Sequence, residues 1–355
     1  MKKIEIKGYK SIKDQTLLLR PINILIGANG SGKSNLLSFF TFLRNLYANN
    51  LQAYVSLNRG MDAFLFQGRK VTEQIYAKLT FDNTNAYSFV LTPGQEMFII
   101  TEEKLWYKHN PYAPDAYDIS SYSPESKLRY NTIPRAEYIR NYLAELKRYH
   151  FHDTSKNSPF TKISNIETGS YVLYPTGDNL AAFLYGIQQS DITAYNRILR
   201  TVQSVAPYFH NFVLRPDSEK NLKLQWEDKY GVVFGVNDLS DGTLRFIALT
   251  TLFLQPQLPQ TIIIDEPELG LHPFAIAKLS GMIKSAAARG CQVIAATQST
   301  DLIGYFQPED ILTVDQINGE SIYNRLSEAQ LGTWLNEYSL GDLWKQNILK
   351  GGQPQ

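Results

Sequence analysis

One eight-residue stretch constrains this chain more than any other, and it reads G-A-N-G-S-G-K-S over residues 27–34. An apolar run suited to a buried strand, residues 22–26, precedes it, and residues 35–46 carry apolar side chains at helical spacing. Three glycines let the backbone turn tightly and point successive N–H groups into one concavity, which suits phosphate oxygens. The dipole of the following helix adds positive potential there. The stretch therefore predicts a strand, a phosphate-binding loop and a helix.

Each polar residue of this loop has an expected task. Lys33 is placed to reach the β- and γ-phosphates of a nucleotide, and the Ser34 hydroxyl to join a Mg²⁺ shell. A chance glycine turn of this form is expected in roughly 1–2% of chains of this length, so we prefer the nucleotide site. The residues expected to bind the nucleotide are Asn29, Gly30, Ser31, Gly32, Lys33, Ser34 and Asn35.

Bulk composition indicates the cellular environment and the size of the core, but not the function. The chain has 355 residues, 43% of them hydrophobic, so it can build a sizeable core. The net charge of +1 gives no bulk argument for a nucleic-acid or membrane partner. A single cysteine, Cys291, fits a reducing cytoplasm, and no run of about 18 apolar residues predicts a membrane span.

Two later strands end in polar residues. The apolar run 261–264 is followed by Asp265 and Glu266, and the run 291–297 is followed by Gln298. Because α/β sheets bind ligands at the carboxyl ends of their strands, we expect Asp265 to hold Mg²⁺ through water and Glu266 to activate the attacking water. Gln298 would face the γ-phosphate, with a loop-facing amide as the alternative.

The rest of the pattern predicts an α/β fold with three parts. Residues 1–101 form an antiparallel β lobe, with a hairpin over 3–26 and strands over 74–81, 87–92 and 97–101, and they include the phosphate loop and a helix over 33–47. Residues 102–168 are an insertion with one helix, about 135–148, and residues 169–355 carry helices and the remaining strands of a mixed central sheet.

The insertion is rich in tyrosine. These side chains are either half-buried anchors against the main domain or a partner-binding surface, since tyrosine offers area at low entropy cost. They are Tyr107, Tyr112, Tyr117, Tyr122, Tyr130, Tyr138, Tyr142 and Tyr149.

A lysine cluster marks the amino terminus. It is either a solvated strand face or a weak, salt-sensitive contact with nucleic acid. Its members are Lys2, Lys3, Lys7, Lys10 and Lys13.

A family resemblance rests on motifs in a fixed order. Residues 239–243, L-S-D-G-T, precede an apolar helix and resemble the ABC-type signature, one helix upstream of Asp265 and Glu266. The stretches 8–12, 27–35 and 266–273 are similar to those of predicted ATPases related to the RecF, OLD, SMC and Rad50 proteins. Residues 149–153, Y-H-F-H-D, and 341–344, G-D-L-W, resemble a compact subgroup without a coiled-coil arm.

The resemblance implies a P-loop ABC-type ATPase fold and a mechanism. Two subunits would close head to tail on two ATP molecules, with Ser240, Asp241 and Gly242 of one chain meeting the γ-phosphate held by the other. Gln67 would sense Mg²⁺ and the attacking water, and residues 269–272 would cross the dimer axis.

Two residues depart from the transporter pattern. Asp241 stands where transporter ATPases have glycine, and Gln298 replaces the usual histidine. Because a glutamine cannot carry a proton, slow turnover is expected.

The resemblance suggests an ATP-gated switch in anti-phage defence or DNA repair that dimerises on ATP and acts on an effector, a nuclease or other toxic enzyme. A very slow or non-hydrolysing scaffold that regulates a toxin is the alternative. A self-contained nuclease is disfavoured because only 57 residues follow Gln298, and a transporter subunit because about 205 residues separate Lys33 from Ser240.

Overall fold

A computed structural model describes residues 1–81, 85–110, 113–332 and 334–349. In the described chain the strands are β1 (Lys3–Tyr9), β2 (Ile12–Leu18), β3 (Ile22–Ile26), β4 (Ile75–Thr80), β5 (Asn85–Pro93), β6 (Phe98–Asn110), β7 (Ala113–Ser120), β8 (Lys147–Tyr149), β9 (Ser164–Asn165), β10 (Phe209–Phe212), β11 (Asn221–Leu222), β12 (Gln225–Asp228), β13 (Val233–Gly235), β14 (Thr261–Asp265), β15 (Gln292–Thr297), β16 (Ile311–Ile317) and β17 (Glu320–Arg325). The helices are α1 (Lys33–Tyr47), α2 (Leu51–Leu57), α3 (Pro134–Glu145), α4 (Ile166–Gly169), α5 (Leu180–Ser190), α6 (Ile192–Val205), α7 (Asp241–Leu254), α8 (Pro273–Ala288), α9 (Thr300–Ile303), α10 (Glu328–Leu331), α11 (Trp334–Glu337) and α12 (Leu340–Lys345).

The central sheet is mixed, as predicted. Its strand order is β17-β16-β3-β15-β14-β8, with parallel pairing from β16 to β8 and an antiparallel β17 at one edge. Both faces are covered, because Ile262 and Ile264 of β14 pack into a core with α5 to α8, whereas Ile263 packs into a second core with α1 and α3. Burial on both faces explains why these parallel strands are continuous apolar runs.

The second sheet is the predicted antiparallel lobe. Its strand order is β2-β1-β4-β5-β6-β7, and every pairing in it is antiparallel. The amino-terminal hairpin and the three following strands are therefore confirmed. The boundary expected after residue 101 falls inside β6, and β7 extends the same sheet.

One buried carboxylate explains why the end of β6 was not recognised as a strand. Glu103 is fully buried, and it accepts hydrogen bonds from Tyr87 Oη at 2.7 Å, from the Ser126 hydroxyl and from the Lys127 backbone N–H at 3.0 Å. A charged residue at a core position breaks the apolar alternation that marks a strand, and only this non-local set of donors makes it tolerable.

The middle segment also contributes to the central sheet. The helix expected over 135–148 ends at Glu145, and Lys147–Tyr149 form β8, which pairs in parallel with β14. The segment thus belongs to both sheets rather than standing apart from them.

The tyrosines of this segment differ in exposure, and the partner surface stays a prediction. Tyr142 and Tyr149 are buried, whereas Tyr122 and Tyr130 are 81% and 69% exposed. Tyr117 and Tyr138 are also exposed, and Tyr112 lies outside the described residues.

Among the residues that the structure describes, no helix combines the length and apolar character needed to cross a bilayer.

Candidate nucleotide site

The phosphate loop, Asp265, Glu266 and Gln298 lie at one edge of the central sheet. Strands β3, β15 and β14 are parallel neighbours, so their carboxyl ends lie side by side. The phosphate loop follows β3, Gln298 follows β15, and Asp265 ends β14 with Glu266 next to it. This edge is where α/β sheets bind their ligands.

The loop has the backbone shape that its glycines predict. Gly30 and Gly32 have φ values of +79° and +111°, a region that favours glycine. Helix α1 begins at Lys33 with no side-chain cap and no acidic residue in its first turn. The Asn35 side chain turns away to donate to Ser11 Oγ at 2.7 Å. The helix N-terminus is therefore left to an anion, which fits a nucleotide phosphate.

Strand β17 supports the loop from behind. Ser321 is fully buried, its hydroxyl donates to the Ser31 carbonyl at 2.6 Å, and the Ser11 hydroxyl lies 2.7 Å away. Tyr323 Oη donates to the Gly32 carbonyl at 2.9 Å. A Cβ at Gly32 would overlap Ser321 Oγ. Sequence reasoning missed this support because β17 lies about 290 residues from the loop and carries no motif.

Lys33 is buried at the centre of the site. Its ammonium donates to the carbonyls of Gly27 at 2.6 Å and Ala28 at 3.0 Å. Burial lowers the pKa of Lys33, while the charges of Asp265 and Glu266 oppose that shift. The two carboxylates are thus electrostatic neighbours of this lysine, as the motifs predict.

Asp265 is held from the neighbouring strand. Arg148 Nη2 donates to Asp265 Oδ2 at 2.7 Å, and His152 Nε2 lies 2.9 Å from the Asp265 carbonyl. The rings of His150 and His152 are in contact, with centroids 4.3 Å apart. Sequence reasoning placed Arg148 at the end of a helix and so missed its role, although the Y-H-F-H-D stretch was an available signal.

The Glu266 side chain is hydrogen-bonded to Gln298. Gln298 Nε2 donates to Glu266 Oε1 at 2.7 Å, and both side chains are half-buried. Glu266 has a φ of +39°, and its N–H donates to the Ala296 carbonyl at 2.8 Å. This uncommon backbone conformation turns the chain sharply after β14 and aims the carboxylate across β15.

A further carboxyl group lies just behind this pair. Glu268 is 7% exposed, and it accepts a hydrogen bond from the Thr297 hydroxyl. Burial raises the pKa of Glu268. Burial disfavours the charged form of the Glu268 carboxyl, and Glu266, in the same turn, is more accessible to solvent.

The signature residues form an exposed helix start. Ser240 caps α7, since its Oγ accepts from the Thr243 N–H at 3.2 Å, and Tyr208 Oη lies 3.0 Å from Thr243 Oγ1. Gly242 packs so closely on the next loop that a Cβ there would lie 2.5 Å from the Gly270 carbonyl. The described contacts of Ser240 and Gly242 are with these neighbours and do not include the phosphate loop of the same chain.

Arg245 binds the signature helix to two other segments. Its guanidinium donates to the carbonyls of Leu269 at 2.8 Å, Phe151 at 3.2 Å and His152. The loop predicted to cross the dimer axis and the Y-H-F-H-D stretch are therefore fastened to α7.

The remaining predicted residues are Ser34, Asp241 and Gln67, and all three are exposed. Ser34 is exposed in the first turn of α1, and Asp241 is exposed beside Ser240. Gln67 is exposed with a φ of +55°, and its amide lies beside the β16–β17 turn at Gly319. Its metal-sensing role stays a prediction.

The amino-terminal lysines are less available than their number suggests. Lys3 pairs with Glu5 and Lys7 with Asp14, and Lys10 donates to Ser38 Oγ at 3.0 Å. Lys2, Lys7 and Lys13 are exposed, and the weak nucleic-acid contact stays a prediction.

Comparisons with known proteins give the family and the fold of this chain. A family model described as "AAA domain, putative AbiEii toxin, Type IV TA system" matches residues 22–304. The Old nuclease of Escherichia phage P2 is 24% identical over 343 residues, which cover 84% of this chain and 56% of that protein. The chromosome segregation protein sudA of Emericella nidulans is 37% identical over 91 residues, covering 24% of this chain and 7% of that protein. The chain thus spans about half of the first relative and a small part of the second.

Solved structures share the fold. A crystal structure of an SMC head bound to the C-winged helix domain of ScpA has a TM-score of 0.59 and 17% identity, covering 93% of this chain and 99% of that one. An SMC head with an extended coiled coil, bound to the C-terminal domain of ScpA derived from Pyrococcus furiosus, has a TM-score of 0.55 and 17% identity, with coverages of 95% and 98%. The chain belongs to this AAA family, and it is an ABC-type ATPase of the RecF, OLD, SMC and Rad50 group.

Proposed function

We propose that this chain is a slow ATP-dependent switch that closes as a head-to-tail homodimer on ATP and Mg²⁺ and thereby controls a partner effector. The observation that carries the proposal is the pairing of Glu266 with Gln298 at 2.7 Å, at the sheet edge that also holds Lys33 and the phosphate loop. Such an edge combines phosphate binding, metal ligands and a base, which ATP hydrolysis requires.

The phosphate loop and helix α1 bind the nucleotide. The backbone N–H groups of residues 29–35 hold phosphate oxygens, and Lys33 neutralises the β- and γ-phosphates after leaving the carbonyls of Gly27 and Ala28. Ser34 and Asp265 are the residues that would hold Mg²⁺, directly or through water. The ion, when bound, offsets charge on the phosphates.

Glu266 is the base. It accepts a proton from the attacking water as the water oxygen bonds to the γ-phosphorus and the bond from that phosphorus to the bridging oxygen breaks. The Gln298 amide donates to Glu266 Oε1, which fixes the orientation of the carboxylate. Because an amide cannot relay a proton, turnover is slow.

The signature residues serve the opposite subunit. Ser240 and Asp241 are exposed, and Ser240 and the Gly242 N–H stand at the start of the 14-residue helix α7. A hydroxyl and an N–H at a helix start suit an anion, and here the anion would be the γ-phosphate held by the facing chain.

The effector belongs to anti-phage defence or DNA repair in this proposal. Its support is the toxin–antitoxin description of the matching family and the similarity to a phage Old nuclease. A nuclease or another toxic enzyme is the expected partner. The second candidate, a very slow or non-hydrolysing scaffold that regulates a toxin, is favoured by the hold of Gln298 on Glu266.

Light scattering tests the switch directly. The molar mass should double with ATP and Mg²⁺ and stay at one chain with ADP or without nucleotide. Ser240→Arg, which fills the exposed signature surface, is the control and should bind ATP yet remain a single chain. A parent chain that binds ATP without any change of mass contradicts the switch, and a doubled mass with no phosphate release favours the scaffold.

A further inference from the structure

Asp265 already has a positively charged partner in this chain. Arg148 Nη2 lies 2.7 Å from Asp265 Oδ2, and the two side chains are only 26% and 13% exposed. Solvent and salt screen a partly buried pair much less than an exposed one. The carboxylate that ends β14 is thus neutralised before any metal ion arrives.

The position of this pair follows from the sheet. Strand β8 runs parallel to β14 with Arg148 opposite Ile263, so the long side chain reaches past one pair of residues to the strand end. Four residues later, His152 contacts the Asp265 carbonyl. The segment 148–152 therefore holds both the side chain and the backbone of Asp265.

Arg148 has donors left over. A guanidinium carries five N–H donors, and within the described chain Arg148 Nε is buried and has no hydrogen-bond partner. The unused N–H of a guanidinium is a charged donor of the kind that phosphate oxygens accept well.

We infer that Arg148 reserves Asp265 for a metal–nucleotide complex and excludes the free metal ion. The inference rests on the proposed role of Asp265 as a metal ligand. A free divalent cation must approach a carboxylate that a guanidinium already neutralises, and the two positive charges repel each other at close range. A bound triphosphate adds enough negative charge for the metal and Arg148 to remain together. The metal ion therefore binds Asp265 only together with the nucleotide.

Metal binding without nucleotide tests the inference. Titration of Mn²⁺, followed by its electron paramagnetic resonance signal, should show weak binding to the parent. Arg148→Gln removes the charge and should tighten binding about 10- to 100-fold, the range typical of changes around metal ligands. Arg148→Lys keeps a positive charge and should stay near the parent.

A second measurement guards against a folding defect. Because a ligand that binds the folded state stabilises it, Mg²⁺ alone should raise the melting temperature of Arg148→Gln and leave that of the parent unchanged. Adding Asp265→Asn to Arg148→Gln should abolish both gains.

The outcomes separate this inference from the proposed function. If the parent binds ATP with Mg²⁺ but Arg148→Gln gains no affinity for Mn²⁺, the inference is wrong and the proposed function stands. A gain that survives Asp265→Asn also overturns the inference. A parent chain that binds no ATP with Mg²⁺ instead defeats the proposed function.

Discussion

In the proposed function the phosphate loop and the signature surface are the two halves of an ATP site, and the two regions are built differently in this chain. The loop is fastened from behind by buried hydroxyls of Ser321 and Tyr323 and begins a 15-residue helix. The signature residue Ser240 is exposed, and its described contacts lie within its own first helical turn. The difference teaches that the phosphate loop is preformed within a single chain, whereas the signature residues form an exposed surface, as the proposed closure on a second subunit requires.

The largest expected effect separates chemistry from assembly. Glu266→Gln keeps the shape of the side chain and a hydrogen bond to Gln298 but cannot accept a proton, so hydrolysis should fall by about 10²–10⁴-fold. Nucleotide binding should survive, because Gly30, Lys33 and Asp265 are unchanged, and a closed ATP-bound dimer should accumulate. Phosphate release and light scattering measure the two properties. Hydrolysis at the parental rate would rule out Glu266 as the base.

Lys33→Ala should weaken ATP binding at the phosphate loop. Hydrogen bonds to charged groups contribute about 1.5–3 kcal/mol, so ATP affinity should fall by roughly 10- to 100-fold. Binding is measured on dilute protein by fluorescence anisotropy of a labelled nucleotide. Unchanged affinity would show that the ammonium does not leave the carbonyls of Gly27 and Ala28 for phosphate.

A pair of glycines tests whether the loop depends on its support. Gly32→Ala should destabilise the fold by about 1–3 kcal/mol, because the new methyl overlaps the buried Ser321 hydroxyl. Gly30→Ala is the matched control, since it shares a positive φ but its Cβ would meet open space. Chemical denaturation gives both values. Equal losses would mean that the backbone conformation alone decides, and not contact with β17.

Ser240→Ala should affect the signature surface and not the phosphate loop. Loss of one hydroxyl to phosphate is expected to weaken ATP-driven dimerisation about tenfold, in line with roughly 1.5 kcal/mol for one such bond. Nucleotide affinity of the single chain should not change. A variant that loses nucleotide binding on dilution would show instead that the signature contacts the loop of its own chain.

The exposed tyrosines lie outside both halves and give the smallest expected change in stability. Replacing Tyr117, Tyr122 and Tyr130 with alanine should alter the free energy of unfolding by about 0.5 kcal/mol or less per site, as is usual for surface positions. ATP hydrolysis should persist while the effector no longer co-purifies.

Tyr142→Ala is the contrasting control for these tyrosines. It loses a buried ring whose hydroxyl lies 2.6 Å from Thr261 Oγ1, and the fold should weaken measurably. Equal recovery of the effector with the triple variant would place the partner surface elsewhere.

Local sequence patterns predicted the positions of the phosphate loop and the two carboxylates better than they predicted the residues that support them. The glycine loop and the Asp265–Glu266 pair could be read from the sequence because each lies within a few residues of its own strand. Strand β8 could not, since three residues that end with a tyrosine resemble the end of a helix, and their pairing with β14 is more than 110 residues away. The contact of Arg148 with Asp265 was missed for the same reason, because the two residues are far apart in the sequence. The full length of β6 was missed because the buried Glu103 interrupts its apolar pattern.

Arg245 and Gly242 have a consequence for how substitutions in the signature should be interpreted. The guanidinium clamps α7 to the loop at Leu269, and Gly242 sits against the Gly270 carbonyl with no space for one more carbon. The helix start and this loop are therefore packed too tightly to shift independently. An inactive Gly242→Ala variant would report displaced packing as readily as a lost phosphate contact, whereas Ser240→Ala leaves the contact of Gly242 with Gly270 unchanged.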